Sequence, residues 1–202
     1  MKTKTLLSFI ALLVLGSGCA SLTSIKTSRL DLLQQRDFLK CGVSGKIPGF
    51  SFAKNDGTYA GLDVDICKAM AAAFLGDSNK VEYRQLTAPE RFTALKTGEI
   101  DLLSRNTTFN LSRDSKKGNN VSFAPVIFYD GQSFMVRRDS GISTIEELDS
   151  GAICVGSGTT SEQNLHDTFS ERNIDYTPVK FQDYNLVREA YIKGRCIAMT
   201  AD

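Results

Sequence analysis

The sequence predicts an α/β protein made of two successive units in which strands and helices alternate. Short apolar runs typical of buried strands precede helix-like segments between residues 39 and 103, and the same order returns between residues 152 and 200. Glycines stand where helices should end, for example Gly98 and Gly194. This alternation favours parallel sheets with helices packed on their faces.

Composition and charge exclude several classes of partner. The chain has 202 residues, of which 42% are hydrophobic and 23% are charged, which is ordinary for a globular protein of one or two domains. A formal net charge of +1 gives no reason to expect nucleic acid or an anionic membrane surface as a partner. His166 is the sole histidine, so a His-rich metal site is not expected, and we predict neither a metal nor a cofactor.

Residues 1–20 have the layout of a signal peptide. Lys2 and Lys4 precede an apolar run at residues 6–15, and small residues follow, so the chain is predicted to be exported. The run is too short for a membrane-spanning helix. Cys19 is a candidate for lipid attachment, although Leu15 stands four positions before it rather than three. Cleavage near residues 19–21 without lipidation is the alternative, and residues 21–29 are predicted to be a tether.

Four further cysteines occur in the chain. An even number in an exported protein suggests disulfide bonds. Local pairing, Cys41 with Cys67 and Cys154 with Cys196, would place one bridge in each half. Four buried free thiols are the alternative.

The first half is predicted to contain a helix at residues 30–36, a strand at residues 39–43 and a loop at residues 45–58. Phe50 in that loop could cover a ligand or fill the core.

The helix that opens at Gly61 should bury a face made of Ile66, Met70, Ala73 and Phe74. Asp63 and Asp65 in its first turn are expected to cap the helix and offset its dipole, rather than to act as an acid–base pair.

A polar cluster follows the apolar run at residues 100–103. In open α/β sheets ligands lie beyond the carboxyl ends of the strands, so Asn106, Thr107, Thr108 and Arg113 are expected at one edge. The guanidinium of Arg113 suits two parallel hydrogen bonds with a carboxylate. The cluster contains no nucleophile, which indicates an anion site. The alternative is a solvated loop in which Arg113 pairs with Asp114.

The second half repeats the pattern, with a helix capped by Asp183 whose inward residues should be Leu186, Val187, Ala190 and Tyr191. The glycine-rich segment at residues 156–160 lies between a strand and a helix, where free N–H groups attract anions, but it lacks the Gly-Lys ending of a phosphate loop. Asp202 ends the last strand at the same kind of edge. A carboxylate that faces Arg113 and Thr160 would suit a ligand with both a carboxylate and an ammonium group, which describes an α-amino acid.

Several of these segments resemble known proteins. Residues 61–72, GLDVDICKAMAA, resemble the signature of the family 3 extracellular solute-binding proteins. Four further segments are similar, more narrowly, to the general L-amino-acid-binding proteins of ABC transporters, and the resemblance extends from about residue 30 to residue 202. These segments are RNTT through SRD at residues 105–114, YDGQ at 129–132, GTT at 158–160 and GRC at 194–196.

The resemblance implies a two-lobed periplasmic-binding-protein fold, a clamshell of the class II type, without the second crossover. Lobe 1 would span residues 30–128 and be incomplete, and lobe 2 would span residues 129–202. The resemblance also implies roles in ligand binding: Arg113 and Thr108 hold the α-carboxylate, the Asn106 backbone carbonyl contacts the ammonium, Thr160 adds a carboxylate contact and Asp202 binds the ammonium. The cysteines lie where such relatives carry cysteines, which supports the local pairing.

The predicted function is periplasmic capture of L-amino acids for import through an ABC transporter permease, without catalysis. Two departures from the family pattern stand out: Ile197 replaces a residue that is often Asp, and the relatives continue beyond Asp202. One alternative is therefore a shortened remnant that binds nothing. Another is a dehydratase on the same fold, for which Glu162 and His166 are available, although residues four apart on a helix more readily pair with each other or with water.

Overall fold

The structure is a computed structural model that describes residues 27–202. The predicted signal peptide, Cys19 and most of the tether lie outside these residues. Within them, no helix is long and apolar enough to cross a membrane.

The elements divide into two groups, called lobe 1 (α1 to α4) and lobe 2 (β7 to β10). In lobe 1 they are α1 (Arg29–Arg36), β1 (Leu39–Val43), β2 (Lys46–Ile47), β3 (Ser51–Ala53), β4 (Tyr59–Ala60), α2 (Leu62–Leu75), β5 (Val81–Gln85), α3 (Arg91–Thr97), β6 (Leu102–Leu103) and α4 (Leu111–Asp114). In lobe 2 they are β7 (Ser133–Val136), β8 (Gly151–Gly156), α5 (Thr160–Glu171), β9 (Tyr176–Phe181), α6 (Tyr184–Ile192) and β10 (Ala198–Ala201). The boundary at residues 128 and 129 stays a prediction.

The main sheet of lobe 1 is parallel, as predicted, with strand order β5-β1-β6. Residues 45–58 are not the plain loop that the sequence predicts, because β2, β3 and β4 form a small antiparallel sheet. Strands of two or three residues are too short to show an alternating pattern. The buried Ser51 hydroxyl fixes the start of this sheet by accepting hydrogen bonds from the backbone N–H groups of Ser44 and Gly45.

The buried face of α2 differs from the prediction. Val64, Cys67 and Ala71 are fully buried, whereas Phe74 is 39% exposed and Ala73 is also exposed. The helix is apolar on most sides, so the spacing of its apolar residues does not select one face. The predicted disulfide from Cys67 to Cys41 on β1 forms, and it turns the Cys67 side of the helix towards the sheet.

The sheet of lobe 2 has the strand order β7-β10-β8-β9, with β7 antiparallel to β10 and the other neighbours parallel. Phe169 on α5 packs into one core, and the predicted Cys154–Cys196 bridge forms in the second core, beside α6. Leu186 was predicted to face inward but is 49% exposed, because it lies at the edge of the buried stripe formed by Val187, Ala190 and Tyr191.

Candidate ligand-binding cleft

A cleft of about 200 Å³ lies between the two lobes, and side chains from both lobes line it. All six residues that the sequence predicts to contact a ligand are among the lining residues. They are Phe50, Asn106, Thr108 and Arg113 from lobe 1, and Thr160 and Asp202 from lobe 2. Thr107, which was expected with them, does not line the cleft, and its hydroxyl donates to the Arg105 carbonyl over 2.6 Å.

Arg113 lies on the short helix α4, which Asn110 caps by accepting the Arg113 backbone N–H over 2.9 Å. The Arg113 side chain is buried, and its Nη1 donates to the Thr108 carbonyl over 2.7 Å. Burial lowers the pKa of Arg113, and the charge of Asp202 opposes this shift. The alternative of a solvated loop with an Arg113–Asp114 pair is wrong, because within residues 27–202 Arg113 forms no salt bridge with Asp114.

Asp202 is held by hydroxyl groups from both lobes. Ser161 Oγ donates to one carboxylate oxygen over 3.0 Å, and Thr108 Oγ1 donates to the other over 3.3 Å. Thr160, the first residue of α5, donates to Thr108 Oγ1 over 3.1 Å. Thr108 therefore contacts Arg113 through its carbonyl and Asp202 through its hydroxyl.

Arg91 is a cleft residue that the sequence did not predict. Arg91 and Ala94 are the buried residues of α3. Arg91 is 2% exposed, its Nη2 donates to the Gly158 carbonyl of lobe 2 over 3.2 Å, and its Nε has no partner among residues 27–202. A cation in the first turn of a helix opposes the helix dipole, which is the one signal that could have singled it out.

The electrostatics of Arg91 point to an anion. Burial, together with the neighbouring charges of Arg113 and Arg105, lowers its pKa to about 9, whereas the charge of Asp202 acts in the opposite direction. The guanidinium remains charged at neutral pH in surroundings that disfavour its charge. A bound anionic group would relieve this repulsion.

Negative charge reaches the cleft from Asp202, after β10, and from Asp130, in the segment between α4 and β7. Asp202 and Asp130 both line it, and burial, together with the charge of Asp202, raises the pKa of Asp130. Arginines of lobe 1 and these two carboxylates thus give the cleft a positive side and a negative side.

Phe50 lines the cleft and is half-buried. Its ring packs edge-to-face against Phe128 in the segment that connects the lobes, with 5.0 Å between the ring centroids. The aromatic side chain therefore lies where the cleft meets the connection, rather than in the lobe 1 core.

Asp63 was predicted to be a helix cap, and this is wrong. The N-cap of α2 is Gly61, for which residues 27–202 show no side-chain cap hydrogen bond, and Asp63 is 3% exposed. Its Oδ1 accepts the backbone N–H of Asn106 over 3.3 Å. Burial raises the pKa of Asp63. Asp65 in the same turn is exposed, as expected for a carboxylate that only offsets the dipole.

Glu162 and His166 line a different hollow, of about 510 Å³, beside α5 and β9. Glu162 forms a salt bridge with Lys180 over 2.7 Å and accepts the Gly158 N–H over 2.7 Å. Neither residue lines the cleft between the lobes, so nothing in this geometry favours the dehydratase alternative. Within residues 27–202, no group of three His, Cys, Asp or Glu residues could hold a metal ion.

A ligand-sized cleft between two α/β lobes, with charged and hydroxyl side chains converging from both, is the architecture of a two-lobed binding protein. The chain belongs to the bacterial extracellular solute-binding proteins, family 3, which match it over residues 39–191.

Individual relatives are similar over nearly the whole chain. This chain is 46% identical to the general L-amino acid-binding periplasmic protein AapJ of Rhizobium johnstonii, over 100% of this chain and 58% of the relative. It is 43% identical to the glutamate/glutamine/aspartate/asparagine-binding protein BztA of Rhodobacter capsulatus, again over 100% of this chain and 58% of the relative.

Among solved structures, a periplasmic binding protein from Brucella ovis with glutathione bound has a TM-score of 0.78 and 42% identity, over 86% of this chain and 54% of that chain. The chain thus spans between half and two thirds of the length of these relatives.

Proposed function

We propose that the cleft binds L-amino acids through their carboxylate and ammonium groups, and that the chain acts in the periplasm as the binding component of an ABC importer. The observation that carries this proposal is the position of Thr108, which contacts both Arg113 and Asp202. A cation and an anion are thereby held in one small cleft, from different lobes. A zwitterion offers the complementary pair of charges.

The carboxylate would bind Arg113 and the Thr108 and Thr160 hydroxyls. The ammonium would bind Asp202 and the backbone carbonyl of Asn106. In the present arrangement Thr160, Thr108 and Asp202 form hydrogen bonds with one another, so a ligand would exchange these for its own. Hydrogen bonds to charged groups contribute about 1.5–3 kcal/mol each, which makes the two charged anchors the main source of affinity.

Arg91 adds a preference for the ligand's side chain. After Arg113 has bound the α-carboxylate, Arg91 remains as a second buried guanidinium with a free Nε. A carboxylate or amide side chain supplies the missing acceptor, and a cationic side chain would be repelled. The name of the Rhodobacter relative, which lists acidic amino acids and their amides, supports the same preference.

Export and delivery complete the proposal. Residues 1–20 would direct export and be removed or, in the alternative, cleavage before Cys19 would leave that cysteine as the lipid site. A membrane permease would receive the ligand from the closed lobes. The names of the relatives, which include a periplasmic L-amino acid-binding protein, support this place in transport.

Isothermal titration calorimetry of residues 21–202 with L-glutamate, L-glutamine, L-alanine and L-lysine tests the proposal. We expect binding of the first two, weaker binding of L-alanine, and none of L-lysine. Asp202→Asn should lower the affinity for every ligand more than tenfold, because one charged hydrogen bond is lost. If Asp202 is the ammonium partner, Asp130→Asn, in the same cleft, keeps that hydrogen bond and should change affinity by less than threefold. A folded chain that shows neither heat nor thermal stabilisation with any amino acid refutes the function.

A further inference from the structure

Asp63 is a buried carboxylate to which ligand binding assigns no role. It lies in the first turn of α2 and does not line the cleft. Its backbone N–H donates to the Phe50 carbonyl over 2.9 Å, so the start of α2 is attached to the loop that carries a cleft residue. Burying a charge is costly unless the charge is paired or hydrogen-bonded, so the contacts of this carboxylate indicate its purpose.

These contacts lead to the cleft. Asp63 Oδ1 accepts the backbone N–H of Asn106, and within residues 27–202 the second oxygen, Oδ2, has no hydrogen-bond partner. Burial raises the pKa of Asp63, whereas the Asn106 N–H, the Ser51 hydroxyl and the positive charge of Arg105 favour the ionised carboxylate. Arg105 is itself anchored, because its Nε donates to the Leu86 carbonyl over 2.8 Å. A buried carboxylate outside the cleft thus supports the chain at residue 106, and the buried Arg105, which lines the cleft, is anchored beside it.

Asn106 needs such support because its backbone is strained. Its φ angle is +28°, which residues other than glycine rarely adopt. Conformations of this kind persist where the surrounding structure holds them, and they concentrate at ligand sites. With the N–H of residue 106 fixed to Asp63, the φ angle sets the position of its carbonyl carbon, and ψ then sets the direction of the carbonyl oxygen.

We propose that Asp63 is a positioning residue for the ammonium subsite. Its carboxylate holds the Asn106 amide so that the Asn106 carbonyl is presented to the ammonium of the ligand. The inference rests on the proposed function, because only a ligand with an ammonium group would meet that carbonyl. Asp63 acts through Asn106 and does not itself contact the ligand.

Three variants test this role with L-glutamate as the probe. Asp63→Leu keeps the approximate shape but removes the acceptor, and should weaken binding about tenfold, the effect of losing one hydrogen bond of ordinary strength. Asp63→Asn keeps an acceptor oxygen and should restore affinity to within threefold of wild type. Asp65→Ala, the exposed neighbour in the same helical turn, should bind like wild type.

The outcomes separate this inference from the proposed function. If wild type binds no amino acid, the proposed function fails. If wild type binds and a folded Asp63→Leu binds equally well, or if Asp63→Asn is as weak as Asp63→Leu, the positioning role is refuted. Amide hydrogen exchange in unliganded wild type is a measurement that does not depend on any variant folding. We expect the Asn106 N–H to be protected, and exchange at the rate of a free peptide would overturn the inference.

Discussion

Thr160 of lobe 2 donates a hydrogen bond across the cleft to Thr108 of lobe 1, with 3.1 Å between the two Oγ1 atoms. Both hydroxyls are proposed to bind the same ligand carboxylate. They are hydrogen-bonded to each other, so a ligand gains only the difference between its own contacts and this one. Hydroxyl contacts therefore contribute little net affinity, and the charged anchors should dominate.

The first prediction follows from that ranking and concerns Arg113. Replacing Arg113 by Ala removes the cation that would bind the α-carboxylate, a group that every amino acid shares. We expect the dissociation constants for L-glutamate, L-glutamine and L-alanine to rise by the same factor, about 10- to 100-fold, as for loss of a charge-assisted hydrogen bond. Calorimetry measures this directly.

The matched control is Arg188→Ala, because Arg188 is exposed on α6 and does not line the cleft. This variant should bind every ligand as wild type does. Unequal losses among the three ligands in Arg113→Ala would contradict the assignment to the shared carboxylate and would place Arg113 at the side-chain end of the ligand instead.

The second prediction concerns the selectivity that Arg91 confers. Arg91→Gln removes a buried charge whose Nε has no acceptor among residues 27–202, so the affinity for L-glutamate should fall about tenfold. L-Alanine should lose no more than about threefold, from the contact between Arg91 and the Gly158 carbonyl that is lost for all ligands. The ratio of the two dissociation constants is the quantity to compare.

Lys96→Gln is the control for charge on the same helix, since Lys96 is exposed on α3. It should leave the ratio unchanged. If Arg91→Gln weakens L-glutamate and L-alanine equally, Arg91 serves lobe closure alone and the preference for acidic or amide side chains has no support from this residue.

The positions of Asn106, Thr108, Arg113, Thr160 and Asp202 could be predicted from sequence because topology fixes them. Each follows a strand of a parallel sheet or lies on the helix after one, and such positions meet at one edge. Local packing decides which side chains enter the cleft, as Thr107 shows. The order of the parallel strands and their helices could be predicted for the same reason, whereas the short strands β2 to β4 could not.

Arg91 and Asp63 could not be assigned from sequence because burial of a charge is a tertiary property. On a helix, an Arg beside apolar residues looks like part of a solvated face, and an Asp in a first turn looks like a cap. The prediction of the buried face of α2 failed for a related reason. A helix that is apolar on most sides is oriented by the element it packs against, here through the disulfide of Cys67. Asp63 lies on that same face.

The third prediction concerns the two disulfides, which close loops with sequence separations of 26 and 42 residues. Removing either bridge raises the conformational entropy of the unfolded chain. This should lower the free energy of unfolding by about 3–4 kcal/mol. The variants Cys41→Ala/Cys67→Ala and Cys154→Ala/Cys196→Ala, compared by urea unfolding, measure this. A midpoint of unfolding that does not change on full reduction of wild type would show that the bridges do not form in solution.

The fourth prediction concerns the ion pair between Lys46 on β2 and Asp183 at the start of α6, which joins the lobes directly. Burial raises the pKa of Asp183, but Lys46 and the Asn185 amide outweigh this, so the net pKa lies below the ordinary 3.8. The stabilisation from a carboxyl group with a lowered folded pKa is present above 3.8 and is lost only as pH falls through the folded value. The pair should therefore be insensitive to pH near neutrality but sensitive to salt.

Lys46→Met removes the charge and leaves Asp183 free to cap α6 through Asn185. Because Lys46 is 52% exposed, the pair contributes no more than about 1 kcal/mol, and ligand affinity should fall by about fivefold or less. Small-angle X-ray scattering of the unliganded variant should show a larger radius of gyration than wild type, and 1 M NaCl should expand wild type in the same way. Lys54→Met, an exposed lysine in the neighbouring turn, should do neither. Equal radii for Lys46→Met and wild type at low salt would mean that the Thr108–Thr160 and Arg91–Gly158 contacts hold the lobes together without this pair.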